Sequence, residues 1–240
     1  MKKILFLFLF LSTSVFVKAQ HPAAGTVSII PRVGVSLSSL PGDKVYVSGT
    51  VGDELPFSSR YKAGFTGGLD IDWQFMPNLS ATLGVIYTQQ GCKYKNDAKT
   101  TATVYGDAVN KGVGYSDWST TLHYVNVPLM LNAYLAPGFA VKAGVQLGFA
   151  VSGKMKYTSQ NFTQTKEGIE YEKPEKTTYN LNSTLSKVIV AIPVGVSYEF
   201  SNVIIDARYH FGLTGFQNIP EVDSSKNRVL TFTAGYRFTL

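Results

Sequence analysis

The stretch AVKAGVQLGFAVSG, residues 140–153, alternates with a period of two. Val141, Ala143, Val145, Leu147, Phe149 and Val151 form one row; Ala140, Lys142, Gly144, Gln146, Gly148, Ala150 and Ser152 form the other. Alternation over this length marks a β-strand with two unlike faces. The fold turns on which row is inside. A soluble barrel would bury the apolar row, and a barrel in lipid would turn it outward.

The same period recurs along the chain and yields eight strands: 26–37, 61–75, 78–90, 122–135, 139–153, 185–200, 203–216 and 227–240. Three joints are short and made of turn formers: Met76-Pro77-Asn78, Ala136-Pro137-Gly138 and Ser201-Asn202. The other connections, 38–60, 91–121, 154–184 and 217–226, are long and polar. Short joints and long loops alternate. In an antiparallel up-and-down order all tight turns then fall at one end and all long loops at the other. Transmembrane barrels have this asymmetry, with short periplasmic turns and longer outer loops.

The apolar rows include Phe65, Leu69, Ile71 and Trp73; Leu83 and Val85; Val125 to Leu135; Val188 to Phe200; and Phe232 and Phe238. An eight-stranded barrel has an interior only just wide enough for side chains or one small ligand. These rows are too bulky for it. The opposite rows mix Gly34, Gly68, Gly84, Gly195 and Gly235 with charged residues. Glycine weakens a solvated strand, but in a crowded lumen it leaves room for a long neighbour. The reading is therefore an all-β, eight-stranded antiparallel up-and-down transmembrane β-barrel with its apolar rows facing lipid. Trp73, Tyr87, Tyr134, Tyr198, Tyr209 and Tyr236 fit interfacial girdles.

Residues 1–19 read as a secretory signal peptide cleaved near Ala19: Lys2 and Lys3 precede the apolar Ile4–Leu11, and Val17-Lys18-Ala19 ends it. The barrel domain is 20–240. Lys2, Lys3 and Lys18 leave with the leader, so the formal +6 of the whole chain becomes +3. That balance gives no argument for nucleic-acid binding. Cys92 is the single cysteine, which excludes an internal disulfide.

Several stretches resemble the PorT-like, or "porin family", outer-membrane β-barrel proteins of Bacteroidetes-type bacteria. They are YVNVPLMLNAYL (124–135), DARYHFGLTGF (206–216), KNRVLTFTAGYRF (226–238) and GVIYTQQG (84–91). The resemblance covers essentially the whole mature chain. One departure is the ending Thr239-Leu240 in place of a terminal aromatic residue. The resemblance implies an integral outer-membrane location, contact with outer-membrane lipid and lipopolysaccharide, and handling by the barrel-assembly machinery. It implies no single activity.

His21, His123 and His210 share no metal-ligand spacing, and neither a metal nor a catalytic residue is assigned. No cofactor is expected. A lipid-modifying barrel enzyme is a lesser alternative, because a triad needs a nucleophile and an orienting carboxylate within reach of a histidine. The leading function is a structural or surface-interaction role, with a narrow solute channel as the alternative. The lines 91–120 and 154–184 combine mixed charge with Tyr and Trp, a surface whose ligand the sequence does not name. The charged lumen residues are Arg32, Asp70, Asp72, Lys142, Lys187, Glu199, Asp206, Arg208 and Arg237. Both signs are present, and they are expected to interleave as one ion-pair network across the lumen, with Lys142 and Gln146 on the far wall.

Overall fold

A computed structural model describes residues 22–41, 44–45, 55–56, 59–94, 110–164, 168–218 and 225–240. The leader and His21 lie outside the described residues. Eight long strands make the barrel: β1 (Val27–Ser39), β2 (Ser59–Met76), β3 (Leu79–Tyr94), β4 (Asn110–Ala136), β5 (Phe139–Gln164), β6 (Val188–Phe200), β7 (Val203–Gly215) and β8 (Lys226–Tyr236). Each pairs antiparallel with its successor. β8 returns to β1 with Arg32 opposite Gly235 and Ser39 opposite Arg228, so the sheet closes. Phe238–Thr239 extends the seam along Ser28 and Ile29.

The tight turns are built as their residues require. Ser201 and Asn202 both have positive φ, 47° and 68°, the conformation of a type I′ hairpin turn that matches strand twist. Gly138 takes φ 74° in the Pro137-Gly138 turn.

The apolar rows face outward: Leu131 is 62% exposed and Val145 56%, while Asp70 on the opposite face is fully buried. The outward apolar runs Phe65–Phe75, Val125–Leu135, Val141–Val151 and Val203–Leu213 are each about 11 residues, the length with which a tilted strand crosses hydrocarbon. Such a girdle would be untenable in water. Tyr134 is a correction to the girdle: its even position on β4 turns it into the lumen, where it meets Arg237.

The long loops also need correction. Much of 91–121 and 154–184 is strand, because β3 runs on to Tyr94 and β4 and β5 pair from Asn110 opposite Gln164 inward. Glu175–Asn180 and Ile169–Tyr171 add to the β5 edge. These residues are rich in Thr and Tyr, which favour strands. Past the membrane the outward face meets water instead of lipid, so the apolar alternation that marks a lipid-facing strand stops while the pairing continues. Conversely, 185–187 precede β6 and do not belong to it.

The belt makes a depth-dependent prediction. Val145→Arg, in mid-belt, destabilises the folded barrel in bilayers by roughly 2–4 kcal/mol, and Val151→Arg, at the outer edge, by about 1 kcal/mol or less. Equal values in urea titrations of the two variants would contradict this placement.

Candidate functional site

The inward residues fill the lumen in layers. Nearest the short turns, the Arg237 guanidinium donates through Nε and Nη2 to Glu199 Oε1 and Oε2 at 2.9 and 3.0 Å. Its Nη1 donates to Asp72 Oδ2 at 2.7 Å and its Nη2 to the Tyr134 hydroxyl at 3.1 Å. The other oxygen of Asp72 accepts from Ser80, Thr82 and Asn132. A planar guanidinium suits this forked arrangement better than an ammonium group does.

One layer farther out, Arg32 pairs with Asp70, and its Nη1 lies 3.5 Å from Asp206. Arg208 joins Asp206 at 2.7 Å and reaches across the lumen to Asp70 at 3.2 Å. Lys142 donates to Asp206 at 2.7 Å. Glycine makes the crowding possible: a Cβ on Gly84 would stand 2.1 Å from Asp70 Oδ1, and one on Gly195 3.0 Å from Arg208 Cγ. The outer layer holds three cations and two carboxylates, the inner layer one cation and two carboxylates, and together they balance.

Eight of the nine charges expected from sequence thus occupy the lumen, split between two layers instead of one network. Lys187 is the exception. It is exposed, because it precedes β6 at the outer mouth, where the interior is apolar and offers an ammonium ion no counter-charge.

Beyond the ion pairs, Arg32 Nε, Asn126 Oδ1 and His210 Nδ1 have no protein hydrogen-bond partner among the described residues. Their residues line a cavity of about 20 Å³ together with Thr66, Thr88, Gln146 and Thr231, room for roughly one bridging water. His210 Nε2 meets Thr231 Oγ1 at 3.2 Å. His123 faces outward with Nδ1 2.6 Å from the Tyr87 hydroxyl, far from any layer of carboxylates. Among the described residues no three His, Cys, Asp or Glu side chains gather as a metal site.

The outer mouth is closed by an apolar plug. Leu40, Cys92, Leu122, Tyr124, Leu181, Leu185, Ile189 and Phe216 pack together. The segment 181–185 folds into the mouth, held by Leu181 N–H donating to Gly153 O, Gly153 N–H donating to Asn182 Oδ1, and a bridge from Leu185 to Gln217. Alternation does not reveal this plug, and Cys92, which falls in the 91–121 connection expected from sequence, is fully buried within it. Leu122 and Tyr124 share the parity of lumen-facing Asn126, and that was the available signal.

Above the mouth, the extended β3–β5 sheet carries an aromatic cluster. Trp118 meets Tyr157 in a tilted pair with centroids 5.1 Å apart, Tyr157 contacts Tyr115 at 5.5 Å and stacks on Tyr179 at 5.8 Å, and Tyr94 meets Trp118 at 6.0 Å. Burial raises the Tyr94 phenol above its ordinary value. Desolvation, then the adjacent Tyr179 hydroxyl, pushes Tyr157 up to about 12. Both therefore remain neutral hydroxyls at neutral pH.

A family model described as the outer membrane protein beta-barrel domain matches residues 18–218. The chain belongs to this family. No curated protein matches the sequence. Solved structures similar to it include Ail, the attachment invasion locus protein of Yersinia pestis, at 16% identity and TM-score 0.39, covering 90% of this chain and 99% of that one. Neisserial surface protein A matches at 13% identity and TM-score 0.42, covering 91% and 100%. OprG of Pseudomonas aeruginosa matches at 12% and 0.38, covering 92% and 99%. The chain is an integral outer-membrane barrel.

The two layers respond differently to loss of a cation. Arg237→Leu strands both Asp72 and Glu199 and destabilises the barrel by roughly 3–5 kcal/mol. Arg208→Leu leaves Asp206 with Lys142 and Asp70 with Arg32, and the loss is smaller, about 1–2 kcal/mol. Urea unfolding in lipid vesicles measures both; the reverse order would contradict the layered arrangement.

Proposed function

We propose that this barrel neither conducts bulk solute nor catalyses a reaction, and that it acts as a membrane scaffold displaying its outer sheet as an interaction surface. One observation carries the reading: ion pairs cross the lumen in two successive layers, and an apolar plug fills the mouth above them. Eight strands leave no aqueous bore once side chains fill the interior. A pore needs an unbroken polar path, and hydrophobic constrictions oppose ion passage by dewetting. The non-enzymatic part rests on His123 and His210, neither of which has both a nucleophile and a carboxylate among its described hydrogen-bond partners.

The same proposal takes residues 1–19 as a leader removed near Ala19, with 20–240 as the mature barrel domain, and places the chain in the PorT-like branch on the strength of the 124–135, 206–216 and 226–238 stretches. Insertion then calls on the barrel-assembly machinery, and the outward belt meets outer-membrane lipid and lipopolysaccharide. The outer sheet around the aromatic cluster is the working surface, where the exposed Tyr171 and Tyr179 give rigid contact area at small entropic loss. All nine charges named from sequence apart from Lys187 have a structural role in the lumen.

Purified, refolded protein shows no stable unitary currents in planar bilayers. Reproducible conductance steps would replace the scaffold with the narrow channel. In intact cells a membrane-impermeant maleimide labels Tyr179→Cys and spares Asn202→Cys until the outer membrane is permeabilised. Cys92 is fully buried and stays silent in both backgrounds. Labelling of Asn202→Cys in intact cells would invert the topology.

A further inference from the structure

Just beyond the outer edge of the apolar belt lies a row of exposed cations. Arg60 on β2 stands opposite Lys93 on β3, Lys93 opposite Ser119 on β4, and Ser119 opposite Lys156 on β5. Lys154, opposite Thr121, is two residues from Lys156 on the same face. All four cationic side chains are exposed. The lumen ion pairs involve none of these four, and Asp117, the acidic residue at the neighbouring bulge, has an interaction of its own. Strands are spaced roughly 5 Å apart, which puts the Arg60 and Lys93 backbones about that far apart and those of Lys93 and Lys156 about 10 Å apart. Like charges directly opposite on a sheet destabilise it, so an anion seated on the row would relieve that repulsion.

The height of the row says where that occupant sits. On β5 the apolar run ends at Val151 and the first cation follows three residues later. On β3 and β4 the Tyr87–His123 pair lies between belt and row, the level at which amphipathic rings occupy a membrane interface. At the opposite end the turns 76–78, 136–138 and 201–202 carry no charge. The cations thus flank the belt on its outer side, at headgroup height, above a lipid-facing wall that includes Val85, Leu147 and Phe149.

We propose that Arg60, Lys93, Lys154 and Lys156 form a binding site for the phosphate groups of a phosphorylated glycolipid of the outer leaflet. The proposal rests on the outer-membrane reading and names the lipid's site. The acyl chains lie on the apolar wall while phosphates relieve the repulsion along the row, each cation near an anionic surface adding its own increment of affinity. The Lys93–Lys156 separation of about 10 Å suits a headgroup with phosphates at both ends of a disaccharide better than a single free anion.

The test uses the mature full-length protein in neutral detergent, with bisphosphorylated lipid A and its dephosphorylated form as probes and native mass spectrometry as readout. Wild type favours the phosphorylated probe by about tenfold or more. Lys93→Gln with Lys156→Gln lowers that preference about tenfold. Lys173→Gln with Lys176→Gln, the same change in net charge elsewhere on the outer side, leaves it within about twofold. Excess inorganic phosphate does not displace the lipid. Equal binding of the two probes, equal loss in both double variants, or displacement by inorganic phosphate would each overturn the site. Heat-modifiable gel migration is followed in every sample. If it is retained, a negative binding result refutes the site alone, whereas its absence in wild type would refute the barrel itself.

Discussion

Inside hydrocarbon a backbone amide has no water to bond, so the β8–β1 seam is the contact on which everything else depends. It runs from Arg32 opposite Gly235 to Ser39 opposite Arg228 and is prolonged by Phe238 and Thr239. Closure removes the two sheet edges that would otherwise face lipid. It also sets the bore, and the bore sets what the lumen can hold. Only in a ring this narrow does Arg208 on β7 reach Asp70 on β2.

The lumen charges do a different job from the belt. Buried ion pairs add little net stability over apolar packing, because desolvation offsets their attraction. Here they oppose misregistration. A one-residue slip of any strand would turn its inward set to lipid, placing Asp206 and Arg208, or Asp70 and Asp72, in hydrocarbon without partners. The belt provides the driving force for insertion, and the charges leave one register tolerable. Small residues at Gly84 and Gly195 complete the arrangement by making room for Asp70 and Arg208.

Toward the outside the chemistry changes in steps: two layers of ion pairs, a polar cavity, an apolar plug, then the aromatic cluster of the extended sheet. Each step follows from what surrounds it. Charges are held where other charges can meet them, and Leu122, Tyr124, Leu181 and Leu185 seal the mouth, where the chain turns back on itself. Past the seal the strands need no lipid-facing row, and Trp118, Tyr157 and Tyr179 gather on one side instead.

Alternation by itself determined the strands that cross the membrane, the outward row, and the lumen parity of Arg32, Asp70, Asp206, Arg208 and Arg237, because a period of two assigns every residue to a face without knowledge of any other strand. It could not order those residues by height. Which charge meets which depends on the stagger between strands, so only the tertiary structure separated Arg237, Glu199 and Asp72 from the Arg32–Asp70–Arg208–Asp206–Lys142 layer. It alone left Lys187 in water and folded Leu181 and Leu185 into the mouth, whereas the even parity of Tyr134, shared with Asn126 and Asn132, already placed it inside. The strand extensions past Gln90 and Gly153 were equally invisible to periodicity, since hydrophobic alternation records contact with lipid, whereas strand pairing is made by backbone hydrogen bonds that any sequence of suitable propensity can form.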